Sequence, residues 1–188
     1  MKRSWLVLIA TTFLAAFGMS LYSRAQTQNQ PPSPARSRSE EMLDRWNDIG
    51  NKLVAMAQDF PEDKYDFKPT PAQRSFAEQL LHAAGSCYYF TNPAMGQKPP
   101  AAEDPKREQY KSKADIVAFV KKSFADGPTA IQSKGDKGLM TEVVYFPDQK
   151  ARVLDIAYGL IEHSGEHYGQ LVVYYRLAGL VPPESRPK

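Results

Sequence analysis

ARVLDIAYGLIEHSGEHYGQLVVYYRLA, residues 151–178, reads as one long helix. At about 100° per residue, Ile156, Leu160, His163, His167, Gln170, Tyr174 and Leu177 fall on one face. His163 and His167 therefore stand one turn apart within the inward stripe rather than on the solvent side. Such a pair is often a satisfied core or surface feature, so it does not define a site by itself. Gly165 and Gly169 flank it, although a helix built for stability alone would avoid them at about 1 kcal/mol each against alanine. Their missing side chains leave room for a neighbouring helix or a ligand. Gly179 supplies the C-terminal stop, and Val181-Pro182-Pro183 prevents continuation.

The chain has only three histidines, and the third, His82, lies in another apolar helical pattern. Ser75 opens that helix with Glu78 three positions later, the pattern of a capping box, and Thr91-Asn92-Pro93 is expected to stop it near Phe90. His82 shares a face with Glu78, Gly85, Ser86 and Tyr89, where the small residues leave space beside the imidazole. Phe76, Leu80, Ala83, Cys87 and Phe90 form an adjoining core stripe.

Two further helices complete the expectation. One runs from Ser39 to Phe60 on the stripe Met42, Trp46, Ile49, Leu53 and Met56, ended by Pro61. The other is capped by Ser112, with Ile116, Phe119, Val120 and Phe124 inward. Gly127-Pro128 kinks or breaks it, and the tract 133–138 reads as loop. Thr141 to Phe146 reads as a short strand or an extended lead-in. The fold class is thus all-α, a four-helix bundle with a long crossover connection, residues 94–110, between helices 2 and 3.

The N-terminus stands apart. Lys2 and Arg3 precede an uncharged stretch ending at Ser23, and Ser23-Arg24-Ala25 places small residues where a signal peptidase requires them. Residues 1–25 read as a signal peptide, 26–38 as a polar, proline-rich linker and 39–186 as the domain. The expected location is periplasmic or extracellular, the alternative being an uncleaved membrane anchor. The first 25 residues hold three of the 24 basic groups and no acid, so basic and acidic residues balance at 21 each in the remainder. That balance excludes the clustered positive field of a nucleic-acid binder. Cys87 is the single cysteine, so no intramolecular disulfide can form, and its apolar setting reads as structural.

Residues four apart on a helix can share one ion. A third imidazole from a neighbouring helix makes a three-nitrogen set that leaves coordination positions open, as catalytic metal centres require. His82, His163 and His167 are therefore the expected ligands. Imidazole suits several divalent ions, so zinc, nickel and iron stay open. Glu78, Glu162, Glu166 and Asp155 are candidates to orient the rings. Glu166 and Glu78 are also the candidate catalytic proton carriers. Tyr174 reads as core filling, with a hydrogen bond to a substrate oxyanion as the alternative.

The runs Asp63-Lys64-Tyr65-Asp66-Phe67-Lys68-Pro69-Thr70-Pro71 and Ser75-Phe76-Ala77-Glu78-Gln79-Leu80-Leu81-His82 resemble the first half of a DinB/YfiT-like domain. His163-Ser164-Gly165-Glu166-His167-Tyr168-Gly169-Gln170, Tyr174-Tyr175-Arg176 and 179–185 are similar to that family's last helix and tail. The resemblance spans residues 40–186. It implies a four-helix bundle and a divalent metal on the three histidines, without implying one reaction, because such domains include thiol-dependent transferases, isomerases and hydrolases. Two functions are open. The first is a metal-dependent enzyme on a small-molecule substrate, with a hydrolase favoured over a thiol S-transferase. The second is a non-catalytic metal- or ligand-binding bundle. No membrane partner is expected after signal cleavage, and a homodimer stays open.

Overall fold

A computed structural model describes residues 35–100, 104–146 and 149–187. The expected signal peptide and most of the linker lie outside the described residues. Helix α1, Arg38–Asp59, starts at Ser37, whose hydroxyl accepts from the Glu40 N–H while Glu40 accepts from the Ser37 N–H. Asp136, far along the chain, adds a second cap by accepting from the N–H groups of Arg38 and Ser39. Trp46, Leu53, Met56 and Ala57 form the buried stripe of α1.

Helix α2, Phe76–Ala94, carries the expected capping box of Ser75 and Glu78. It passes Thr91-Asn92-Pro93 and ends one turn later than the sequence predicts. Pro93 sits in its last turn, and the left-handed Gly96 (φ +72°) follows the helix end at Met95.

Helix α3, Lys113–Asp126, is capped by Ser112 and Asp115, and α4, Pro128–Leu139, follows directly. Gly127 between them keeps helical angles, so the chain passes from α3 to α4 without breaking. A methyl group at Gly127 would lie 2.1 Å from Trp46 Cζ2, which is why this close approach to Trp46 needs glycine. The tract 133–138, expected as loop, is helical apart from Gly135, whose φ of +57° kinks it.

Two short strands follow, β1 (Glu142–Phe146) and β2 (Gln149–Arg152), paired antiparallel with Val143 opposite Ala151. The final helix α5, Val153–Leu177, therefore begins two residues later than expected, because 149–152 pairs as a strand. It closes on Gly179 with φ +76°, and the Leu180 N–H bonds to the Tyr175 carbonyl. Four helical columns result: α1, α2, the consecutive α3–α4 and α5. No helix among the described residues is long and apolar enough to cross a membrane.

The core is aromatic at one end. Phe60 stacks on Phe76 with centroids 3.7 Å apart, and the Tyr175 ring meets Phe60 edge-on at 4.9 Å. Tyr65, Phe60, Phe76 and Tyr175 are all essentially buried. Lys113 Nζ donates to the Phe60 carbonyl, so α2 and α3 both start beside Phe60. Helices α2 and α5 pack along one another, and this interface positions the histidines.

Candidate metal centre

Helix α2 presents His82, and α5 presents His163 and His167, from opposite sides of that interface. Their ligand atoms all lie within 4.8 Å of one another. His163 Nε2 and His167 Nε2 are 3.1 Å apart, and the His82 ring stands nearly perpendicular to that of His167, centroids 4.5 Å apart. Two nitrogens bound at about 2.1 Å to one ion are about 3.0 Å apart at a right angle and about 3.4 Å at the tetrahedral angle. The observed pair falls inside that range. His82 and His167 are buried, and His163 is half-buried.

The donor set also fits by charge. Burial pushes the pKa of His167 down to about 4, with the neighbouring His163 and His82 acting in the same direction. The ring is therefore neutral at physiological pH, the state in which a histidine ligates. A divalent ion would find three ring nitrogens already within reach of one another.

The surrounding polar groups orient the rings. His82 Nδ1 meets Asp104 Oδ1, and the other carboxylate oxygen of Asp104 accepts from Arg74 Nη2 at 3.1 Å. Burial opposes ionisation of Asp104, yet the hydrogen bonds from His82 and Arg74 outweigh it and hold the carboxyl below its ordinary pKa. The Gln79 amide contacts His167 Nδ1 and the Gln170 side chain. Ser86 Oγ donates to the His82 carbonyl at 2.9 Å and lies 3.0 Å from His163 Nε2.

The three expected ligands are thus brought together; the other candidates lie elsewhere. Glu78 stays in its capping box and pairs with Lys68 at 3.1 Å; the Ser75 N–H, with help from Lys68, holds its carboxyl below the ordinary value. Glu162 and Glu166 are exposed, and Asp155 is bound by Arg152 at the start of α5. Tyr174 is buried and donates to the Arg74 carbonyl at 2.6 Å, the core arrangement. A methyl group at Gly165 or Gly169 would meet nothing within 4 Å, so no helix among the described residues uses the room there.

Sequence reasoning missed Asp104, Gln79 and Arg74. Gln79 could have been found, as a polar side chain three positions before His82 in an apolar run. Asp104 stands in an aperiodic connection and gives no such signal. Two cavities flank it. One of about 700 Å³ is lined by Lys68, Arg74, Glu78, Asp104, Lys106 and Arg107 among others. The other, about 390 Å³, has Gly85, Tyr88, Tyr110 and Phe119 in its wall and shares Asp104, Pro105 and Lys106 with the first.

A helical bundle with three imidazoles converging between two of its helices describes a fold and a donor set, and the comparisons speak for the fold and the family. A sequence model of the DinB superfamily matches residues 45–171, and the chain belongs to that superfamily. A crystal structure of a DinB-like protein from Bacillus cereus superposes with a TM-score of 0.66 at 20% identity, covering 77% of this chain and 95% of that one. A DinB-like protein from Bacillus subtilis superposes with a TM-score of 0.62 at 19% identity, covering 79% of this chain and 99% of that one. At these identities the likeness speaks for the fold. A search of curated proteins finds no match.

Proposed function

We propose that the chain holds one divalent metal ion on His82, His163 and His167 and acts as a metal-dependent hydrolase of a small molecule. The convergence of three imidazole ligand atoms within 4.8 Å, from two packed helices, carries the reading. Three neutral ligands leave a bound dication its full charge, which lowers the pKa of a coordinated water toward about 7 and supplies a nucleophile at neutral pH. The chain's own residues then hold the rings, through Asp104 at His82 and Gln79 at His167. They also shape the approach, through the cavities on either side of Asp104. Of the two glutamates expected to carry protons, Glu78 is the one we place next to substrate, because it lines the larger cavity while Glu166 is exposed. Residues 1–25 support export as part of the same proposal.

The test is elemental analysis of the protein purified without a histidine tag. One equivalent of zinc, nickel or iron, lost in His82→Ala, is the expected result, followed by hydrolysis of an ester or amide panel by the metallated form alone. No bound metal and no uptake on titration would overturn the metal reading. Full occupancy without turnover on hydrolytic or thiol-transfer panels would overturn the hydrolase and leave a binding bundle.

A further inference from the structure

We infer that Asp104 is a positioning residue for His82: it keeps the proton on Nδ1 and thereby turns the Nε2 lone pair toward His163 and His167. This rests on the three-histidine reading above. The His82 side chain is only 8% exposed, so water competes little for its ring nitrogens. An ionised carboxylate can only accept, so the nitrogen facing Asp104 Oδ1 must be the N–H, and in the neutral ring, the form that ligates, the opposite nitrogen is the bare one. Carboxylates in this position fix the tautomer and ring plane of a ligating histidine and raise its basicity.

The carboxylate is itself pinned. Arg74 Nη2 holds Oδ2 at 3.1 Å, and the Arg74 carbonyl accepts the Tyr174 hydroxyl of α5 at 2.6 Å. The chain of bonds therefore runs from α5, which carries His163 and His167, through Arg74 and Asp104 to His82 on α2. The stretch from Asp104 to Ser112 delivers this carboxylate contact to His82. A second ion pair, Arg107 with Asp66 at 3.0 Å, also ties this connection down without touching a histidine. That pair separates orienting a ligand from anchoring a loop.

Zinc affinity, measured by competition with a chromogenic chelator at neutral pH, is compared for the wild type, Asp104→Asn, Asp104→Ala and Asp66→Asn. We expect affinity to fall about 10-fold in Asp104→Asn, whose amide oxygen can still accept, and toward about 100-fold in Asp104→Ala. Asp66→Asn should bind as the wild type does. Long-range proton–nitrogen correlation spectra of the metal-free protein should show His82 protonated at Nδ1 in the wild type and shifting toward Nε2 in Asp104→Ala. Equal affinity in Asp104→Ala and the wild type would overturn the inference, as would equal losses in the Asp104 and Asp66 variants. Should Asp104→Ala fail to fold, the isosteric Asp104→Asn decides on the same two readouts. A wild type that takes up no zinc would sink the three-histidine reading instead, and the His82 tautomer alone would then decide the role of Asp104.

Discussion

Helices α2 and α5 meet twice, and the two meetings differ in kind. Near the start of α2 the interface is aromatic, and each hydroxyl has a fixed acceptor. Tyr65 donates to the Ala57 carbonyl, Tyr174 to the Arg74 carbonyl and Tyr175 to the Met56 carbonyl. Two turns further along α2, the same interface brings three imidazoles together with their ligand atoms facing one another. The aromatic end satisfies itself and needs nothing from outside. The histidine cluster gathers three ring nitrogens of one kind within 4.8 Å of one another, a donor set suited to a cation. Rigidity at the first meeting is what makes the geometry of the second reproducible, because both histidine-bearing helices are locked by the same stacked rings.

The comparison breaks most completely at the histidines. His163→Ala should take metal content from one equivalent to none while leaving far-ultraviolet circular dichroism unchanged; retained stoichiometric metal would show that the cluster is not the site. Phe76→Ala attacks the other meeting, and removing a fully buried ring from the stack should cost about 3–5 kcal/mol in denaturant unfolding. A loss of under about 1 kcal/mol would mean the aromatic end is not what locks the helices.

Smaller changes sharpen the contrast. Tyr175→Phe deletes one hydroxyl shared between the Met56 carbonyl, which also takes the Phe60 N–H, and the Asp59 carboxylate, which Arg186 also holds, so its cost should be about 1 kcal/mol. Arg186→Gln should have the smallest effect. Arg186 principally, with Tyr175, holds the carboxyl of Asp59 below its ordinary pKa against the opposing effect of burial. A depressed carboxyl contributes stability above its unfolded pKa and loses it as pH falls through the folded one. Stability curves of wild type and variant should therefore differ at pH 7, begin to approach one another near about pH 4 and meet only as pH falls through the lower folded pKa. Curves that stay apart at low pH would place the effect of Arg186 elsewhere.

The helical columns and the three ligands were legible because both depend on period. His163, His167 and the stripe around them repeat with the helix, and His82 repeats within its own. The β2 strand was not legible, since Gln149-Lys150-Ala151-Arg152 is mostly exposed and shows no alternation of apolar and polar residues. The end of α2 was misjudged because a proline is tolerated in a last turn, and the helical stretch around Gly135 because loop-like composition did not prevent helix on either side of one glycine. Asp104 was illegible for a deeper reason: its role depends on where an aperiodic connection lies in space, and no local pattern encodes that.

His82 and His163 lie about 80 positions apart in the chain. An ion shared between them would act as a cross-link closing a long loop, and the entropy removed from an unfolded chain grows with the length of loop closed. Cys87 has no second cysteine with which to form such a link covalently. The clasp would also become available only late in synthesis, since no fragment ending before His163 contains both sides of it.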